Sequence, residues 1–171
     1  MESREKEYNF LVTRIENYFF SIYYDEIKEI SLLSKERLQR KRLADTMYEV
    51  PHIYSSNDEW IPLLDFQLLL DVEKRKVPQF AALITDNGNK VKYAVCFPHS
   101  FDEKKIAEKD IFLFSEFLLK KQFLPVFYGL VYVDGISSLF LSFCEIVTAV
   151  EIVNGIFYKK KGVSYDSHRR N

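Results

Sequence analysis

The sequence predicts a mainly β protein made of small barrels packed against one another. Three observations carry this reading. Aromatic residues are abundant, with 15 Phe and 11 Tyr beside only 5 Gly in 171 residues, and Phe and Tyr favour strands. Three strand–turn–strand units stand out along the chain. Their strands are apolar on both faces for much of their length, which suits small barrels better than one sheet with a wet face. At ~150 residues per domain the length allows one domain or two intimately joined halves, and such a chain buries a full core without disulfides.

The elements follow in order. The first unit pairs Phe10 to Ile15 with Tyr18 to Tyr24 across Glu16-Asn17. Ser34 to Met47, SKERLQRKRLADTM, is helix-forming, with Ser34 able to serve as N-cap. Its five basic residues from Lys35 to Arg42, against the acid Glu36, make a polar helix, read as a solvated face or as a contact for an anionic partner. Glu59 to Phe66 reads as a strand entering a helical turn. Pro62 puts this strand at an edge or near its start, and Asp65 is placed to cap Phe66 to Leu70. The second unit pairs Phe80 to Thr85 with Val91 to Phe97 through Asp86-Asn87-Gly88-Asn89, where Asn-Gly supplies the left-handed residues a tight turn needs. The third pairs Val126 to Val133 with Ile136 to Ser142 through Asp134-Gly135. Cys144 to Val153 has helical period, with Ile146, Val147, Val150 and Val153 on one face and Gly155 as a stop.

Gln122 to Cys144 imitates a membrane span, at 23 residues with Asp134 as its single charge. An Asp near the bilayer centre costs roughly 2.5–3.5 kcal/mol, and Asp134-Gly135 is a hairpin signal. No membrane insertion is expected. A net charge of -1 provides no general drive toward nucleic acid. Met1 to Glu7 is charged and lacks the apolar region of a signal peptide. The expectation is a cytoplasmic protein with Cys96 and Cys144 reduced and buried. Residues 157–171 hold five basic residues and one acid, which reads as a solvated end or as a contact for an acidic partner.

Motifs for chemistry are missing. There is no phosphate-cradling glycine loop, no HExxH, no GxSxG and no CxxC. His52 and His99 each follow a proline and are expected in loops, and His168 has no local partner. A Cys96/His99 nucleophile pair is the nearest approach to a catalytic set, but Cys96 lies inside a strand, whereas reactive thiols need exposed electropositive sites. Asp25-Glu26 and Asp102-Glu103 read as neighbouring surface charges. The expectation is a protein that is not an enzyme and holds neither metal nor cofactor. A binding or scaffolding role remains, with aromatic side chains as anchors.

Four segments, in order, resemble the CheW-like family of chemotaxis coupling proteins. Asn9 to Ile30 is similar to the family's opening hairpin and its V-x-E-I segment, here Ile27-Lys28-Glu29-Ile30. Ile61-Pro62-Leu63-Leu64-Asp65-Phe66 resembles its "iiPviDL" strand, Phe80 to Phe97 its middle hairpin, and Phe127 to Ile146 its late G-v…d-g segment. The match spans residues 9–150 of what reads as one domain over 1–171, with residues 31–58 as a divergent, partly helical connection and 157–171 as a basic tail.

The resemblance implies two SH3-like five-stranded β-barrels sharing a core, with short helices in the first connection and at the C-terminus. The barrels and their seam would be filled by Phe19, Phe20, Tyr23, Tyr24, Phe80, Tyr93, Phe97, Phe127, Tyr128, Tyr132 and Phe140. It also implies a non-catalytic adaptor that couples chemoreceptor cytoplasmic tips to the regulatory domain of a CheA-type histidine kinase. Ile27 and Glu29 match positions linked with docking and are the partner-binding candidates. The family's N-x-R-G stretch is missing; Ile53 to Trp60 stands in its place, and its Arg position stays empty. The second reading is the same fold reused as an interaction or structural module outside chemotaxis.

Overall fold

Two curled β-sheets of six strands each share the chain. The structure is a computed structural model and describes residues 5–43, 46–85, 91–121, 126–143 and 153. The first sheet begins with a hairpin, β1 (Glu7–Ile15) and β2 (Tyr18–Tyr23), which turns at Glu16, whose φ is 54°. A 3₁₀ turn at Tyr24–Glu26 passes the chain to the second sheet. That sheet takes β3 (Ile27–Leu32), β4 (Leu38–Arg42), β5 (Glu49–Tyr54), β6 (Trp60–Asp65), β7 (Phe80–Thr85) and β8 (Val91–Phe97). The chain then returns to the first sheet with β9 (Asp102–Ala107), β10 (Ile111–Leu113), β11 (Phe127–Val133) and β12 (Ile136–Leu141). Two short helices, α1 (Phe66–Leu69) and α2 (Glu116–Lys121), complete the elements.

The strand orders are β10-β11-β12-β2-β1-β9 and β3-β7-β8-β6-β5-β4, six strands each where five were expected. Each sheet contains one parallel pair, β12 with β2 and β6 with β8; the other pairs are antiparallel. The edges of each sheet are consecutive in the chain. In the first sheet, five steps of ~4.8 Å would set β9 and β10 roughly 24 Å apart if the sheet were flat. The three residues Glu108–Asp110 join these edges, and such a connection spans at most ~15 Å. The sheet must therefore curl, which gives it barrel character.

All three expected strand pairs form. Asp134 and Gly135 turn the third hairpin with φ of 50° and 80°, the left-handed pair of a tight hairpin. The turn of the second, residues 86–89, lies outside the described residues, as do Cys144, the helix expected up to Val153 apart from that residue, His168 and the basic tail. Asp65 caps α1 as expected: its Oδ1 accepts from the Gln67 N–H at 2.9 Å.

Three expectations about secondary structure are corrected. Ser34 to Met47 is not a helix. Only Lys35–Arg37 makes a 3₁₀ turn, and Leu38–Arg42 is strand β4, paired with β5 from Leu38–Ile53 to Arg42–Glu49. Basic side chains with good helix propensity were outvoted by a backbone ladder and by half-buried Leu38 and Lys41. His52 lies in β5 rather than in a loop, buried, with Nδ1 3.0 Å from the Val50 carbonyl oxygen. Pro62 is inside the sheet rather than at its edge. It is tolerated because β8 pairs with β6 only from Leu63 onward, so the missing N–H interrupts no ladder there.

The main core joins both sheets. Ile15, Phe20 and Ile22 from the first hairpin pack with Ile53, Leu64, Leu83, Tyr93 and Phe97 from the second sheet. The Phe66 ring is its hub, with centroids 5.3 Å from Phe20, 5.2 Å from Phe97 and 5.9 Å from Phe143. A smaller cluster of Phe10, Ile106 and Val131 fills the first sheet, with Tyr8, Tyr23 and Phe140 against it. Tyr24 and Tyr132, expected inside, are exposed. Glu26, expected as a surface charge, ties the two sheets: its carboxylate accepts from the Ser142 hydroxyl at 2.7 Å and from the Phe143 N–H at 3.1 Å.

Candidate partner-binding site

Both candidate contact residues stand on β3, an edge strand whose ladder partner is β7. Burial alternates along it: Ile27, Glu29 and Ser31 are half-buried, while Lys28, Ile30 and Leu32 are exposed. A register shift between Ile27 and Glu29 marks an irregularity in the ladder. Ile27 packs on the main core. The outward face of the strand therefore presents Lys28, Ile30 and Leu32, which the sequence reading did not select. Their signal was the period-two alternation itself.

Glu29 is the centre of a polar latch. Its Oε2 accepts from the Ser56 hydroxyl at 2.5 Å, and its Oε1 lies 3.5 Å from Arg37 Nη2. Arg37 in turn donates from Nε and Nη2 to the Tyr54 carbonyl oxygen at 2.9 and 2.6 Å. The Tyr54 ring packs on Trp60 at 5.1 Å, and Lys41 Nζ sits 4.5 Å over the Trp60 ring. Burial, and secondarily the Asp58 carboxylate, raise the Tyr54 phenol above its usual value. Arg37 belongs to the run expected to be a solvated helix. The structure brings it against Ile53 to Trp60, the segment in which sequence reading found no arginine.

A second exposed face lies on the first sheet. Phe112, Leu113, Phe117, Leu118 and Tyr132 are all half or more exposed, or nearly so, and they come from β10, α2 and β11. Phe112 and Tyr132 meet edge to face at 6.0 Å. Beside them an apolar cavity of about 360 Å³ is lined by Tyr8, Phe10, Tyr23, Ile111, Leu113 and Phe140.

The Cys96/His99 pair does not form a nucleophile site. Cys96 is buried in β8, and burial, with the Asp65 charge adding to it, pushes its thiol far above the usual value. His99 lies in the loop after β8, as expected, and its ring faces Lys76 instead. Among the described residues no group of His, Cys, Asp and Glu is arranged to hold a metal. No helix among them is long and apolar enough to cross a membrane.

No protein-family model and no curated protein matches the sequence. The fold has a solved counterpart. It is similar to the crystal structure of the scaffolding protein TtCheW from Thermoanaerobacter tengcongensis, with a TM-score of 0.58 and 13% identity over 81% of this chain and 91% of that one. The architecture is therefore CheW-like, a pair of barrel-like β-sheets around a joint core.

Proposed function

We propose that the chain is a non-catalytic coupling adaptor of the CheW type, working in the cytoplasm between chemoreceptor tips and the regulatory domain of a CheA-type histidine kinase. The observation that carries this reading is the extent of the fold likeness, which takes in 91% of a scaffolding protein. Two faces on one rigid body support it. Coupling needs separate surfaces, and an apolar patch rimmed by charge makes a moderate, reversible interface. The Phe112–Phe117 face is the seat for the kinase regulatory domain. The β3 edge, with Ile27 and Glu29 on one side and exposed Ile30 and Leu32 on the other, is the seat for the receptor tip.

Titration calorimetry of the full chain against the kinase regulatory domain and receptor tips from its own genome tests this. Binding on the order of micromolar is expected, with Leu113→Asp and Phe117→Asp each abolishing the kinase contact and leaving the melting temperature near its starting value. No binding to either partner overturns the coupling role.

A second reading is favoured by Ile53 to Trp60 standing where the family has N-x-R-G: the same fold serves as an interaction module outside chemotaxis. Kinase and receptor genes next to this one support the first reading, and their absence supports the second.

A further inference from the structure

A polar cavity of about 230 Å³ lies between the β1–β2 hairpin and the loop before β9, lined by Thr13, Arg14, His99, Ser100 and Asp102 among others. His99 is held from two sides, one of them by Lys76, which stands just outside the lining. Gln67, itself buried, clamps the main chain of Lys76: its Nε2 donates to the Lys76 carbonyl oxygen at 2.7 Å, and its Oε1 accepts from the Lys76 N–H at 2.9 Å. Lys76 Nζ then lies 3.4 Å from His99 Nε2. On the other side the Thr13 hydroxyl donates to the His99 carbonyl oxygen at 3.4 Å. An ammonium only donates, so a bond between them needs Nε2 as the acceptor of a neutral ring. Burial first, then the Lys76 and Arg14 charges, hold His99 below its usual value.

Two cations thus stand about the imidazole, Arg14 in the lining of the recess and Lys76 beside it, and among the described residues no acid is hydrogen-bonded to either. The geometry points to a binding site for a small oxyanion of the phosphate type, gripped by Arg14 and His99 in the recess and by Lys76 beside it. The guanidinium offers a fork of donors, the ammonium a point charge, and His99 a second charge once protonated. The charged groups around His99 are Lys76 from the segment after α1, Arg14 from β1 and Asp102 from the start of β9. Asp102 opposes the anion, and nearby Lys104 partly offsets it. An anion that favours the protonated ring takes up a proton on binding. By linkage, the His99 titration moves up in the complex.

The test is a titration of the full chain with inorganic phosphate at constant ionic strength, followed by the His99 ring-proton resonances at about pH 6 and about pH 8. The expected result is a saturable shift, with the His99 titration moved up in the complex. Arg14→Ala and Lys76→Ala should each weaken it roughly tenfold, the loss of one charge-assisted contact, and Asp102→Asn should tighten it. All three positions are exposed, so the variants keep the fold. O-phosphoserine binding tighter than phosphate assigns the site to an esterified phosphate; weaker binding assigns it to the free ion. Equal shifts with chloride, or a phosphate response unchanged in Arg14→Ala, overturn the site. The adaptor role does not enter this measurement, and its failure leaves the site standing.

Discussion

The Glu29 carboxylate on edge strand β3 and the Arg37 guanidinium at the foot of edge strand β4 lie 3.5 Å apart. Side chains thus join the two margins of the second sheet, which are the outermost strands of its ladder order. Ser56, from the β5–β6 turn, bonds the same carboxylate. Glu29 has a structural job besides any contact it makes.

From sequence, Glu29→Arg should weaken partner binding and leave stability nearly unchanged. The latch changes that expectation. An arginine at 29 faces Arg37 and leaves Ser56 without its acceptor, so a loss of about 1 kcal/mol is expected in urea unfolding. Glu29→Gln keeps an acceptor for Ser56 and should cost about half as much. A partner-binding loss in Glu29→Gln at near-normal stability would then report the contact alone.

Two glycines should fail for different reasons. A Cβ on Gly129 would overlap the Phe112 carbonyl oxygen and crowd Leu113 Cα at 3.0 Å, so Gly129→Ala must push β10 off β11. A loss of roughly 1–3 kcal/mol is expected, with amide exchange rising at Ile111 to Leu113. Gly135 has open space around it but a φ of 80°. Gly135→Ala should cost only the left-handed penalty of about 1–2 kcal/mol, and Gly135→Asn less than that. Thermal melts that rank Asn below Ala at 135 contradict the turn assignment.

Asp65 carries a cap and a half-buried charge. Burial raises its carboxyl above the usual value, while its bonds from Gln67 and the Arg75 charge pull the other way. The folded state therefore holds the proton more tightly than the unfolded chain. This contribution is fully present below the unfolded value and is lost as pH rises through the raised folded value. Asp65→Asn keeps the cap without the charge and should be at least as stable at neutral pH, with a flatter acid limb. Asp65→Ala should lose about 1 kcal/mol of capping. Denaturant melts across the acid range decide between them.

Cys96 should be inert in the native protein, since its thiol is buried and held far from the thiolate. Alkylation by iodoacetamide, read by peptide mass spectrometry, is expected at Cys96 only at the rate of unfolding. Fast native labelling would contradict its place in β8.

Much of the local architecture was legible in sequence. The apolar runs around Glu16-Asn17 and Asp134-Gly135 became hairpins because turn chemistry and strand propensity act over a few residues. Asp65 ahead of Phe66 was legible as a cap for the same reason. The candidate site was legible only in part. Glu29 could be named, but its partner Ser56 is 27 residues away, and the outward face of β3 belongs to Lys28, Ile30 and Leu32 instead.

By itself, the sequence determined a β-rich chain, three hairpins, a capped turn and a bulky aromatic core, all set by short-range pattern and by burial. Tertiary structure alone decided the rest. Leu38–Arg42 became strand β4 because a ladder with β5 outweighs the helix propensity of its residues. The parallel pairs β2 with β12 and β6 with β8 join distant segments that no local signal connects. Arg37 reached Glu29, and Lys76 reached His99, because curled sheets and the Gln67 clamp bring them together. Such contacts depend on the closure of the whole chain, and no window of neighbouring residues encodes them.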